Sequence, residues 1–240
     1  MGVLVKPSFT IRQVGPLLVG ILLALNPVTA SADDLFDLQE LVDDARLTFA
    51  RFVMHPDMTS LRARVKEARA VFIAPAFVKA GYFVGGSLGK GVVLVRVEET
   101  GEWSDPAFYT ITGVSVGLQI GAKRSEVVAV ISSKVEIESL LSSRFMLSAT
   151  TNLAVGPVGG GAGGSATPTL SADVISFARS DGAYAGLTLG GLVMLPDNDA
   201  NTVYYGQPIK SADILTNPVG IHHWYSARLR ATLRKVQNEE

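Results

Sequence analysis

A chain of 240 residues with 48% hydrophobic and 18% charged residues can bury a full core, which excludes a disordered or tail-like protein. Its net charge of -1 offers no global attraction to nucleic acid. The absence of cysteine excludes disulfides, thiolate metal sites, a cysteine nucleophile and a lipidated N-terminal cysteine.

The N-terminal segment argues for export. Lys6 and Arg12 give a positive start, Val14 to Leu25 is an apolar run, Asn26 and Pro27 break it, and Ala30-Ser31-Ala32 is a small-x-small cleavage site. A transmembrane anchor needs about 20 apolar residues, more than this run supplies. Residues 1–32 therefore read as a signal peptide, and 33–240 as one mature domain with no linker or change of composition inside it. The mature protein is expected in the periplasm or outside the cell, peripheral to a membrane.

Two helices are predicted next. Leu35, Leu38, Val42, Ala45, Phe49 and Phe52 fall three and four apart and form one apolar stripe, with Asp33 and Asp34 at the positive N-terminal end. His55-Pro56 ends this helix. Asp57 or Thr59 caps a second, with Leu61, Val65, Ala68 and Phe72 on one face. Arg62, Lys66 and Arg69 border that face on one side and Arg64 on the other. Cations so placed fit an interfacial helix whose long side chains reach anionic headgroups. They equally fit a core-packing helix with basic borders.

After Ala74-Pro75-Ala76 the chain turns rich in Val, Ile, Tyr, Phe, Thr and Gly, the composition of strands. Strands are predicted at 82–85, 91–97, 108–121, 127–131, 148–155, 172–179 and 183–195, with a hairpin turn at 99–102 and a tight one at Ser180-Asp181-Gly182. Short helices are predicted after Ser133 and from Ser211 to Asn217-Pro218, a polar turn at 197–201, and a last helix over 222–236. Gly81, Gly85 and Gly89 recur every four residues, as do Gly113, Gly117 and Gly121, and Gly182, Gly186 and Gly190. On a continuous strand such glycines share one face, which another backbone can approach closely.

Motifs that resemble chemistry fail on inspection. Gly85-Gly86-Ser87-Leu88-Gly89-Lys90 lacks the first glycine of a phosphate loop, where Val84 stands, and the hydroxyl after the lysine, where Gly91 stands. Gly159 to Gly164 matches G-x-G-x-x-G but runs into Ser165-Ala166-Thr167-Pro168 instead of a helix, so it reads as a glycine loop. Asp197, Asp199 and Asn201 start like a calcium loop, but Thr202 and Pro208 occupy the positions that need glycine and glutamate. His222-His223 adjoins no second ligand cluster, and no serine sits in a G-x-S-x-G elbow. No catalytic residues, metal or cofactor are therefore assigned, and an enzyme is not expected.

The runs KAGYFVGG (79–86), GKGVVLVR (89–96) and GEWSDPAFYTITGVSVGLQIGA (101–122), followed by NLAVGPVG (152–159), SFARSDGAYAGLTLGG (176–191), the DAN of 199–201 and the YYGQ of 204–207, resemble the SYLF domain. The resemblance spans about 61–215. It implies an α+β fold: a compact antiparallel β-rich domain, barrel- or sandwich-like, with two N-terminal helices and a C-terminal helix packed on it. Eukaryotic members bind phosphoinositide membranes, partly through a basic helix before the sheet, and some engage actin. Carried over, the resemblance implies non-catalytic binding of anionic phospholipid headgroups by Arg62, Arg64, Lys66, Arg69, Lys79 of the KAG motif and Lys90 of the GKG motif. Export would separate the protein from cytosolic actin, so anionic membrane lipids are the expected partners. The alternative is an envelope structural or protein-interaction module with no lipid ligand.

Overall fold

The computed structural model describes residues 32–81, 84–116, 121–142, 145–146, 153–155, 172–180, 183–185, 191–217, 219 and 223–238. Residues 1–31 of the segment expected to be a signal peptide, Tyr82 and Phe83, the glycine loop at 159–164 and His222 lie outside them. So do four of the recurring glycines, 117, 182, 186 and 190.

Helix α1 (Ala32–Met54) follows its predicted stripe, with Val42, Ala45, Phe49 and Phe52 fully buried. A 3-10 turn (Pro56–Met58) leads into α2 (Thr59–Glu67). Here the sequence reading needs correction. The second helix stops at Glu67, Arg69 lies in the connection, and Phe72 belongs to strand β1 (Ala70–Gly81). Every residue from Ala70 to Ala74 is buried, so both faces of this strand are apolar and its sequence imitates a continuing helical stripe.

The sheet continues through β2 (Val84–Val95), β3 (Ala107–Val116), β4 (Gly121–Ile131), β5 (Phe145–Met146), β6 (Leu153–Val155), β7 (Val174–Ser180), β8 (Ala183–Ala185) and β9 (Val193–Pro196). The order across it is β5-β9-β3-β2-β1-β4-β7-β6, with β8 paired to β7. All pairs are antiparallel except β6 with β7. The structure is thus the expected α+β fold with helices packed on an antiparallel sheet. Among the described residues that sheet is open, not a closed barrel.

Helix α3 (Lys134–Leu141) follows Ser133, and α5 (Ser211–Thr216) and α6 (Trp224–Asn238) stand where short and final helices were expected. The turn predicted at 197–201 is instead the start of α4 (Asn198–Tyr205), N-capped by the Asp197 carboxylate, which accepts from the Ala200 amide at 3.1 Å. Gly206 closes this helix at φ 66°, a left-handed conformation suited to glycine.

Strand pairing fixes the two faces of the sheet, because directly paired residues share a face and neighbours along a strand alternate. One face carries Val71, Ile73, Val92, Leu94, Val128 and Val130 and is covered by α1, α2 and α4, with α6 packed on α1 and α2. The other carries Phe72, Val93, Val95, Tyr109 and Ile111. There the Tyr109 hydroxyl donates to the Leu140 carbonyl of α3 at 3.0 Å, and α5 packs on β2 and β3.

Pro75 interrupts the centre of the sheet. A proline has no amide hydrogen for the ladder, and the register of β1 shifts here against both neighbours, between Ile73 and Ala76 on β2 and between Ala74 and Phe77 on β4. The bulge pushes backbone onto β2. A Cβ at Gly91 would overlap the Ile73 carbonyl oxygen and lie 2.8 Å from the Phe72 ring, and one at Gly89 would lie 2.9 Å from the Ala76 carbonyl oxygen. Gly113 is covered by Leu192. At these positions the glycines accommodate the chain's own backbone and side chains.

Candidate functional site

The six predicted cations occupy different environments. Arg62 turns back onto the end of α1: Nη1 donates to the carbonyls of Val53 at 2.8 Å and His55 at 2.9 Å, and Nη2 to Thr59 Oγ1 at 2.9 Å. It thereby satisfies carbonyls that a helix end leaves without intrahelical partners. Arg64 is half-buried and Lys66 exposed, while the apolar partners on that helix, Leu61 and Val65, are 0% exposed. Helix α2 therefore offers charge to solvent, with its apolar face in the core. Arg69 pairs with Glu98, whose other oxygen lies 3.9 Å from Lys134.

Lys79 and Lys90 stand on opposite faces of the sheet. Lys79 pairs with Ser87 and Lys123, Lys90 with Ala76 and Thr110, and Ser87 and Lys90 are three apart on an unbroken β2. The structure thus does not gather the six into one site.

A patch that was not singled out in the sequence lies beyond the bulge, on the face that carries α1 nearer the chain's core. Val78, Leu88 and Val114 are 40%, 57% and 77% exposed. Val78 pairs with Leu88 and, across the other ladder, with Arg124; Leu88 pairs with Thr112; and Val114 pairs with Gly86, one step along the same face. Ala80 and Ala122 complete that second row. A Cβ at Gly86 would meet no atom within 4 Å, so no described residue packs on the row at that point. Exposed Lys90 and Arg124 flank the patch, and neither pairs with a carboxylate among the described residues.

The covered part of this face ends at Glu126. Arg179 Nε donates to its Oε2 at 2.6 Å from the adjacent strand, and Arg51 of α1 binds its Oε1, which also accepts from the buried Thr48 hydroxyl at 3.5 Å. Burial pushes the Glu126 carboxyl up, but hydrogen bonds from Arg179 and Arg51 outweigh it and hold the pKa below the ordinary value.

Two further features stand apart from the patch. A groove of about 240 Å³ runs between α3, α5 and the end of β2, with Val95, Ile137, Leu141 and Leu215 in it and Arg69, Glu98 and Lys134 at its rim. On the helix-covered face, the motif at 103–109 meets the motif at 199–207. Asn201 Oδ1 accepts from the Phe108 amide at 2.9 Å, the Tyr205 hydroxyl donates to the Pro106 carbonyl at 2.7 Å, and Arg230 Nε lies 3.5 Å from the buried Asp105 carboxylate. Burial raises Tyr204 to about 12, and burial also lowers His223, whose ring centroid is 4.3 Å from that of Tyr204. These residues read as structural fastening. Among the described residues no group of three or more His, Asp and Glu could hold a metal ion.

Comparison with known proteins gives a consistent result. The family model Ysc84, described as Las17-binding protein actin regulator, matches residues 112–236. SH3 domain-containing YSC84-like protein 1 of Rattus norvegicus is 32% identical over 143 residues, covering 59% of this chain and 42% of the relative. An SH3 domain-containing protein of Schizosaccharomyces pombe is 30% identical over 145 residues, 59% of this chain and 34% of the relative. Protein YSC84 of Saccharomyces cerevisiae is 26% identical over 160 residues, 65% of this chain and 34% of the relative. The matched region thus spans about two fifths or less of the length of these relatives.

Proposed function

Because the chain belongs to the Ysc84 (SYLF) family, we propose that it is a non-catalytic module that binds anionic membrane surfaces, with phospholipid or phosphoinositide headgroups as its ligands. The observation that carries this reading is a set of cations on the sheet, Lys79, Lys90, Lys123 and Arg124, that no carboxylate among the described residues neutralises, on a chain whose net charge is -1. Each such cation near an anionic leaflet is worth about 1 kcal/mol. Several together suffice for reversible peripheral attachment, with no reacting group required. The same reading places the mature protein outside the cytoplasm, beginning at Asp33, where cytosolic actin is out of reach.

The test is co-sedimentation of the chain from Asp33 with neutral and anionic vesicles at low and at about 1 M salt, where the screening length falls to about 3 Å. Binding to anionic vesicles that disappears at high salt is expected. Equal binding to neutral vesicles, or none to either, would overturn the proposal. N-terminal sequencing of the protein from a cell envelope fraction tests export: an intact Met1 would contradict it.

A second reading, an envelope structural or protein-interaction module, is favoured by the groove beside α3. Its concave apolar floor of Val95, Ile137, Leu141 and Leu215 suits a protruding side chain better than a flat bilayer. One protein ligand of defined stoichiometry, lost in Leu141→Asp, with no vesicle binding, would establish it.

A further inference from the structure

We infer that the surface laid against the bilayer is the bare end of the sheet, carrying Val78, Leu88, Val114, Lys90 and Arg124, while α2 stays docked in the core. The inference rests on the lipid-binding reading above and assigns its contact face.

Peripheral attachment is strongest where apolar side chains and cations share one surface, so that the first enter the acyl boundary and the second meet headgroups. Helix α2 does not meet this condition. Leu61 and Val65 are 0% exposed, and Arg62 is committed to the carbonyls of Val53 and His55. Freeing the apolar face of α2 would require undoing its core packing.

The bare end of the sheet meets the condition without rearrangement. Val78 and Leu88 are direct cross-strand partners, and Val114 is diagonal to Leu88 across β2 and β3, a separation of about 7–8 Å within which side chains act together. Gly86 and Ala80 between them add little height. Three large aliphatic side chains standing together in water on one sheet face are a patch of the kind that marks an interaction surface. Lys90 stands on one side and Arg124 on the other.

Charge selects the occupant. Among the described residues of β1, β2, β3, β4, β7 and β9 on this part of the face, the one carboxylate is Glu126, and it already binds both Arg51 and Arg179. A second copy docked by the same face would set basic residues against basic residues, a like-charge juxtaposition that disfavours the pair. A planar anionic surface with an apolar interior satisfies the aliphatic and the basic groups together.

The test compares three variants of the chain from Asp33: Leu88→Ser with Val114→Ser, Lys90→Gln with Arg124→Gln, and Arg64→Gln with Lys66→Gln. All six positions lie outside the buried core, and unchanged melting temperatures verify folding. Vesicles of phosphatidylglycerol in phosphatidylcholine serve as the probe. Loss of two cations at the contact weakens binding about 30-fold, and loss of the two aliphatic side chains about tenfold or more. The α2 variant is expected to bind like the parent. Leu88→Trp supplies an independent readout: its emission shifts to the blue with anionic vesicles if the face enters the bilayer. Binding retained by both sheet variants and lost in the α2 variant overturns this face while leaving lipid binding intact. No vesicle binding by the parent overturns both. A parent that self-associates and becomes monomeric in Leu88→Ser with Val114→Ser, with vesicle binding unchanged, makes the face an interface between copies and also overturns the inference.

Discussion

Asn201 accepts a hydrogen bond from the Phe108 backbone amide through its Oδ1 at 2.9 Å, across 93 positions of sequence, and its Nδ2 donates to Ser211 Oγ at 2.8 Å. One fully buried amide thereby joins the start of β3, the middle of α4 and the start of α5. The contact explains why the DAN and WSDPAFY stretches belong together: each supplies one partner of a bond that neither could complete locally. In Asn201→Ala the Phe108 amide keeps no side-chain acceptor in a dry environment. An orphaned group there costs about 1–3 kcal/mol, and in a chain of this size each kcal/mol lowers Tm by about 2–4 °C. A melting curve should show a loss of several degrees. An unchanged Tm would mean that this bond does not hold α4 to the sheet.

The bulge at Pro75 makes a sharper prediction, because two glycines of one strand should behave oppositely. Gly91→Ala drives a methyl group into the Ile73 carbonyl and the Phe72 ring, and a central strand cannot move aside without displacing β1. Overpacking of this kind costs about 1–3 kcal/mol or more. Gly86→Ala places its methyl in open space on the same strand, so it should be neutral or stabilise by up to about 1 kcal/mol through the unfolded chain. Equilibrium denaturation of the pair checks this, and equal effects would show that the bulge yields.

How far the sequence foretells this fold depends on whether its signals are local. The stripe of α1 is legible because Val42, Ala45, Phe49 and Phe52 face one core from one side. The end of α2 is not, because buried residues at 68 and 72 continue a helical spacing that arises in fact from a strand covered on both faces. Helix α4 is hidden for the opposite reason: Asp197-Asn198-Asp199 is turn-like in composition, and only the cap on the Ala200 amide reveals a helix. The candidate surface is half legible. Alternation along β1 and β2 would have separated Lys79 from Lys90, but nothing local states which face the helices cover. The bareness of Leu88 and Val114 is a property of tertiary packing.

Arg62 carries a prediction about stability that bears on any mutagenesis of α2. Its guanidinium supplies donors to the Val53 and His55 carbonyls and to the Thr59 hydroxyl. Arg62→Gln cannot span these acceptors, and it should cost about 1–2 kcal/mol and speed hydrogen exchange over the last turn of α1. Arg64→Gln should do neither. If Arg62→Gln leaves both stability and exchange unchanged, Arg62 is not the tie between the two helices and becomes available as a surface cation.

Glu126 sits where the helix-covered part of the sheet gives way to the bare part, and its two arginines come from different elements, α1 and β7. Its carboxyl is held below the ordinary glutamate pKa in the fold, so the folded state favours the charged form. The sign of the linkage follows. The stabilisation is complete above the unfolded-state value of about 4.3, and it is lost as pH falls through the lower folded value. Glu126→Gln removes it at every pH. At neutral pH the variant should therefore melt several degrees below the parent, consistent with about 1.5–3 kcal/mol for hydrogen bonds to a charged group. The two melting temperatures should converge as the pH is lowered from above the unfolded-state value through the lower folded one, because the parent loses by protonation what the variant lacks by substitution. Melting temperatures that fall in parallel over this range would show that Glu126 contributes no charge-dependent stability, and that α1 is held at this end by the packing of Phe49 and Phe52 alone.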